Sequence, residues 1–231
     1  MAITLTSIYN RVVNILRDDS STLGDAVVKD LIKDAVALVY DKDRPYMKKK
    51  EYTGTGSAFE FAMPTDWVEG FSMITTVEYP SGEQRQEYMP DEDWELTLQT
   101  DGTRKIRFLE DTPSTSEKFL VEYSIPHSVP DSGDATIYVA DLAAVAHLSA
   151  ALCLLALANK FTQSGAPVIT ADVVEYRTKT DRCLATAKQQ IELYLKGLEV
   201  RTETSAAIIM KEFDTRFTSG DSYLTHPERH R

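Results

Sequence analysis

The run LAAVAHLSAALCLLALA at residues 142–158 is apolar on every side of a helix. Only His147 and Ser149 interrupt it, and Asp141 and Lys160 bound it. Its 17 residues fall short of the roughly 20 apolar residues that a membrane-spanning helix needs. It therefore reads as a helix buried among other helices, with its seven alanines allowing close approach. Whatever fold the chain adopts must supply elements to surround it.

Helical spacing supplies them from both ends. Residues 5–17, LTSIYNRVVNILR, place Ile8, Val12, Ile15 and Leu16 on one stripe, with Thr6 or Ser7 as the expected cap. Residues 22–41 repeat Leu23, Val27, Leu31, Ile32, Ala35, Leu38 and Val39 at helical spacing and stop before DRP. The buried run predicts a helix from about Ile137 to Thr162. After the loop QSGAPVIT, Thr170 is the expected cap of a helix from about Ala171 to Leu198. That helix is expected to bury Val173, Val174, Tyr176, Thr180, Cys183, Leu184, Ala187, Ile191, Tyr194 and Leu195, with Gly197 loosening its end.

Between the helical pairs the period changes. From Arg44 to His127 apolar residues alternate or cluster in short runs, predicting five to seven antiparallel strands. PSGE at 80–83 and TDGT at 100–103 are turns, the second closing a hairpin. Both tryptophans, in PTDW (64–67) and PDEDW (90–94), are expected in irregular or helical turns between strands. The fold class is α+β: a four-helix bundle (1–43 and 138–200), an inserted antiparallel β domain (44–137), and an extended C-terminal arm (201–231).

Charge follows the same division. Residues 51–137 hold 18 acidic and 5 basic residues, whereas 1–50 are slightly basic and the rest neutral, giving a net charge of −11. An acidic middle block repels nucleic acid, which argues against sequence-specific DNA reading. Two cysteines, Cys153 and Cys183, are too few for a secreted disulfide framework, so a reduced compartment is expected. The start MAITLTSIYN has no basic region leading into an apolar one, so no signal peptide is expected.

No reactive constellation emerges. DEDWE (91–95) lacks the glycine and ligand spacing of a calcium loop and reads as a solvated turn. GTGS (54–57) is not part of a nucleotide-binding pattern and reads as a turn. His147 has no second ligand at metal-binding spacing and reads as a satisfied core or interface histidine. Without a GxSxG element or a paired nucleophile and histidine, the chain is expected to be no enzyme, with no catalytic residues, metal or cofactor. The basic cluster RPYMKKK leaves two readings: Arg44, Lys48, Lys49 and Lys50 contact DNA or a neighbouring subunit, or the lysines protect a solvated strand edge.

The final residues, KEFDTRFTSGDSYLTHPERHR, have no net charge excess and carry spaced apolar groups, suited to filling pockets on another molecule. The layout as a whole resembles the head-to-tail adaptor (connector) proteins of tailed bacteriophages. The resemblance rests on short N-terminal helices, "MPTDWVEGFSMITTVEYPSG" with its P-x-D-W element, a later "Y-x-x-P-H" in "VEYSIPH", an Ala/Leu-rich helix, a long polar helix and a C-terminal tail.

That resemblance implies a structural protein of the virion, assembled in the host cytoplasm as a ring, usually a dodecamer, beneath the portal. DNA passes through such a ring non-specifically, and a neck or tail protein binds below. It implies that the C-terminal arm docks on the portal protein. Ile208, Ile209, Phe213, Phe217, Tyr223 and Leu224 are then the expected anchors, with Arg216 as a polar clamp. The alternative is a neck or tail-completion protein that binds below an adaptor. An unrecognised enzyme centred on Asp91, Asp93 or His147, and a membrane protein built on residues 142–158, are the remaining rivals.

Overall fold

In a computed structural model, the chain is described over residues 2–17, 20–100, 102–110, 112–164 and 179–198. It is a mixed α+β structure with two small antiparallel sheets.

Helix α1 (Leu5–Leu16) buries Leu5, Ile8, Val12 and Leu16 along one stripe. Its cap is Thr4, not Thr6 or Ser7: the Ser7 amide donates to Thr4 Oγ1 and the Thr4 amide to Ser7 Oγ, a reciprocal box that lets Leu5 enter the core. The expected helix over 22–41 is instead broken. A single turn α2 (Ser20–Leu23) ends at Gly24, whose φ of 86° suits glycine, and α3 (Asp25–Ala35) starts anew. A wider π turn (Val36–Tyr40) and a last turn α4 (Asp41–Asp43) follow. The restart changes the helical phase. Val28, Ile32, Ala35, Val36 and Tyr40 are buried, whereas Val27 and Leu38, expected inside, are exposed.

Strand β1 (Tyr46–Thr53) forms the edge of a sheet ordered β1-β6-β3, with β6 (Lys118–Ile125) central and β3 (Ile74–Glu78) beyond it. The second sheet is ordered β2-β5-β4, from Glu60–Ala62, Arg104–Phe108 and Trp94–Leu98. As expected, TDGT closes the β4–β5 hairpin, with Leu98 opposite Arg104. Trp94 departs from expectation: it opens β4 opposite Phe108 and packs against the sheet core, because the turn ends at Asp93. Phe61, Val77, Ile106, Phe108, Phe119 and Val121 from both sheets form one cluster, its phenylalanines meeting edge to face at 4.7–5.6 Å between centroids. GTGS is a close approach of backbones: a Cβ on Gly54 would lie 2.4 Å from the Ser114 carbonyl oxygen.

Helix α5 (Leu142–Ser164), entered through a 3₁₀ turn (Val139–Asp141), carries the apolar run. It passes the length and hydropathy test for a membrane span, yet much of it is buried by the rest of the protein. Val145, Ala150, Cys153 and Leu157 share one hydrophobic cluster with α1, α3 and the helix over 179–198, here α6. Ser149, fully buried, donates to the Val145 carbonyl one turn back. Burial alone pushes the Cys153 thiol up to about 12, which makes it inert.

The expected cap Thr170 and the residues Val173, Val174 and Tyr176 lie outside the described residues. Along α6, Cys183, Ala187, Tyr194 and Leu198 are buried, but Leu184, Ile191 and Leu195 are not. Gly197 does not loosen this helix. It lets α6 approach α5 closely, since a Cβ there would sit 3.1 Å from Ala144 Cβ.

Candidate interface sites

Chain direction changes where the helices hand over to the sheets, and the polar side chains gather there. Tyr40, at the end of the π turn, donates its hydroxyl to the buried Asp141 at 2.7 Å. Burial, and then this bond, push the phenol pKa up, so it stays a donor. Asp41, also buried, accepts from the His127 amide at 2.8 Å, and burial raises its carboxyl above the usual range. The His127 ring pairs with the Arg44 carbonyl oxygen at 2.9 Å and Thr136 Oγ1 at 3.2 Å, and sits among Tyr40, Tyr46 and Tyr138. Tyr194 donates to Asp43 at 2.5 Å, and Arg44 Nη2 donates to the Leu198 carbonyl at 3.3 Å. The end of α6 is thus tied to the start of β1.

A second polar centre lies on the β1-β6-β3 sheet. Asp66, from P-x-D-W, accepts from Lys48 Nζ at 2.7 Å and from the Tyr123 hydroxyl at 2.6 Å. Lys48, then Tyr123, hold its carboxyl below the usual range. Tyr123 opens Y-x-x-P-H, and His127 closes it. The two elements quoted for the adaptor resemblance, some 60 residues apart, therefore meet through one hydrogen bond. Trp67 stands near Tyr123, with 6.4 Å between ring centroids, and donates from Nε1 to Glu69.

The four basic candidates are not one patch. Arg44 turns to the helix end and Lys48 is engaged by Asp66, while Lys49 and Lys50 are exposed on edge strand β1. Lysines on an open edge are also what strand protection looks like, so both readings of this cluster keep a physical basis. His147 is half-buried on α5, with Nδ1 2.7 Å from Gln190 Oε1 on α6. Asp91 is exposed in a turn and Asp93 partly covered, and neither belongs to a group of potential metal ligands among the described residues. Ile208, Ile209, Phe213, Arg216, Phe217, Tyr223 and Leu224 all lie outside the described residues.

Spacing did not single out the cluster around His127. Its members come from positions 40–46, 127, 136–141 and 194–198, and only the Y-x-x-P-H pattern pointed at any of them. Tyrosines and aspartates scattered at such separations carry no periodicity.

No family model matches the sequence, and no curated protein matches it either. Among solved structures, the chain is similar to one from the neck of an empty gene transfer agent (GTA) particle computed with C6 symmetry. The two are 14% identical, with 79% of this chain and 92% of that chain covered. At a TM-score of 0.29 the superposition is too loose to carry an argument about function.

Proposed function

We propose that this chain is a structural head-to-tail adaptor of a tailed bacteriophage, a subunit of a ring, usually dodecameric, through which DNA passes. In this reading, residues 1–43 and 138–200 form a helical bundle domain that builds the ring wall, and 44–137 form an inserted β domain. Residues 201–231 are the arm that docks on the portal protein, and a neck or tail protein binds below. The protein acts in the virion and performs no chemistry.

The observation that carries the reading is the meeting of its two characteristic elements. Asp66 of P-x-D-W accepts from Tyr123 of Y-x-x-P-H, at the root of strands inserted between helices that share a core around α5. Such an arrangement serves to position surfaces. The acidic middle block suits a conduit that must release DNA, because carboxylates repel the phosphate backbone.

The test is attachment to the portal protein of the same virus, comparing the full chain with one ending at Val200. Loss of co-purification on truncation supports the arm. Unchanged attachment removes it. Photo-crosslinkers at Phe213 and Phe217 in assembled particles separate the portal from a neck or tail protein as the contact, the latter favouring the tail-completion alternative.

A further inference from the structure

Helix α6 has an apolar face that no described element covers. Leu184, Ile191 and Leu195 are 39%, 37% and 47% exposed. At 100° per residue they fall within about 40° of one another and flank the buried stripe. The exposed stripe runs about 16 Å, at 1.5 Å per residue.

The chain that continues from α6 carries a matching pattern. Ala206, Met210, Phe213 and Phe217 repeat at four, three and four residues, a single helical face, and neither proline nor glycine occurs between Arg201 and Ser219. Folded back antiparallel after a short connection, Phe217 falls opposite Leu184, Met210 opposite Ile191 and Ala206 opposite Leu195. The connection then has the length usual between paired helices. Lys188, exposed on α6, would lie opposite Phe213 and between Glu212 and Asp214. Length, phase and charge agree in one register.

We infer that, in the isolated chain, residues 205–218 pack as an amphipathic helix on the Leu184–Ile191–Leu195 face of α6. This contact sequesters Phe213 and Phe217 and keeps the stripe from pairing with other molecules. It goes beyond the portal-docking reading and can fail without it, since it concerns the free protein alone.

Disulfide trapping in the full chain, at low concentration, tests this. The pair I191C/M210C should close an intrachain bond about tenfold or more faster than L193C/M210C, whose first site lies at the same height but on the opposite side of α6. Equal rates for the two pairs would show a tail that visits all sides, and the proposal would fall. Crosslinked dimers, with a rate rising with protein concentration, would overturn it too, by assigning the stripe to a second copy. Portal attachment by the same variants under reducing conditions reports separately on the arm.

Discussion

Asp66 holds together residues from three parts of the β region, and its contribution has a definite sign with pH. Its carboxyl titrates below the usual range because Lys48 and Tyr123 favour the charged form. The stability it adds is present above the unfolded-state pKa, near 3.9, and is lost as pH falls through the lower folded value. Replacing Asp66→Ala should cost about 1–3 kcal/mol at pH 7, chiefly by leaving the partly buried Tyr123 hydroxyl unpaired. Lys48→Ala should cost under about 1 kcal/mol, since that ion pair is largely solvated. Urea unfolding at pH 7 and pH 3 measures both, and the Asp66→Ala difference should shrink in acid. Asp41 runs the other way. Burial raises its carboxyl, so its protonated form favours folding, and that advantage fades as pH rises through the folded value. Asp41→Asn keeps an acceptor for the His127 amide and removes the buried charge. It should stabilise by about 1 kcal/mol at pH 7, and the gain should vanish below about pH 4, where the native carboxyl is itself neutral.

Among the elements, α5 and α6 are held at a distance that one glycine sets. Alanine at Gly197 gains helix propensity of about 1 kcal/mol, but its Cβ must be accommodated against Ala144, so Gly197→Ala should be near neutral. Gly197→Leu should destabilise by about 2 kcal/mol or more through overpacking, read as a fall in the urea midpoint. The same pair of helices shows what was legible in the sequence. An all-round apolar run can only be buried or in lipid, and alternating runs around TDGT can only pair as a hairpin, so α5 and the β4–β5 hairpin were readable. Where two faces were both apolar, spacing could not choose between them: on α6 Leu184, Ile191 and Leu195 competed with Cys183, Ala187 and Tyr194, and packing against α5 decided. Gly24 reset the phase of α3 without disturbing hydrophobic content, and that moved Val27 outward. The cluster around His127 was least legible, because its bonds join residues up to 154 positions apart, as from Arg44 to Leu198.

For the molecule as a whole, the question is whether the helical and β cores unfold as one unit. Their apolar clusters share no residue, and the contact between them, built from Tyr40, Asp41, Arg44, Tyr46, His127 and Tyr138, is largely polar and aromatic. Polar junctions of this kind couple two cores more weakly than continuous apolar packing does. The chain provides its own reporters: Trp67 and Trp94 both lie in the β region, while the far-ultraviolet dichroism at 222 nm is dominated by the helices. Ile106→Ala, in the centre of the β core, should cost about 2–5 kcal/mol locally. If 44–137 is a domain as proposed, the tryptophan fluorescence midpoint in urea should then move below the 222 nm midpoint, and Leu157→Ala in α5 should reverse their order. Coincident transitions in both variants would mean that the junction welds the two cores into a single cooperative unit, and the division at residues 43 and 138 would have to be abandoned. His127→Ala distinguishes the junction's part in this: by orphaning the Arg44 carbonyl and opening space among three tyrosines, it should spread the two midpoints apart without either core being touched.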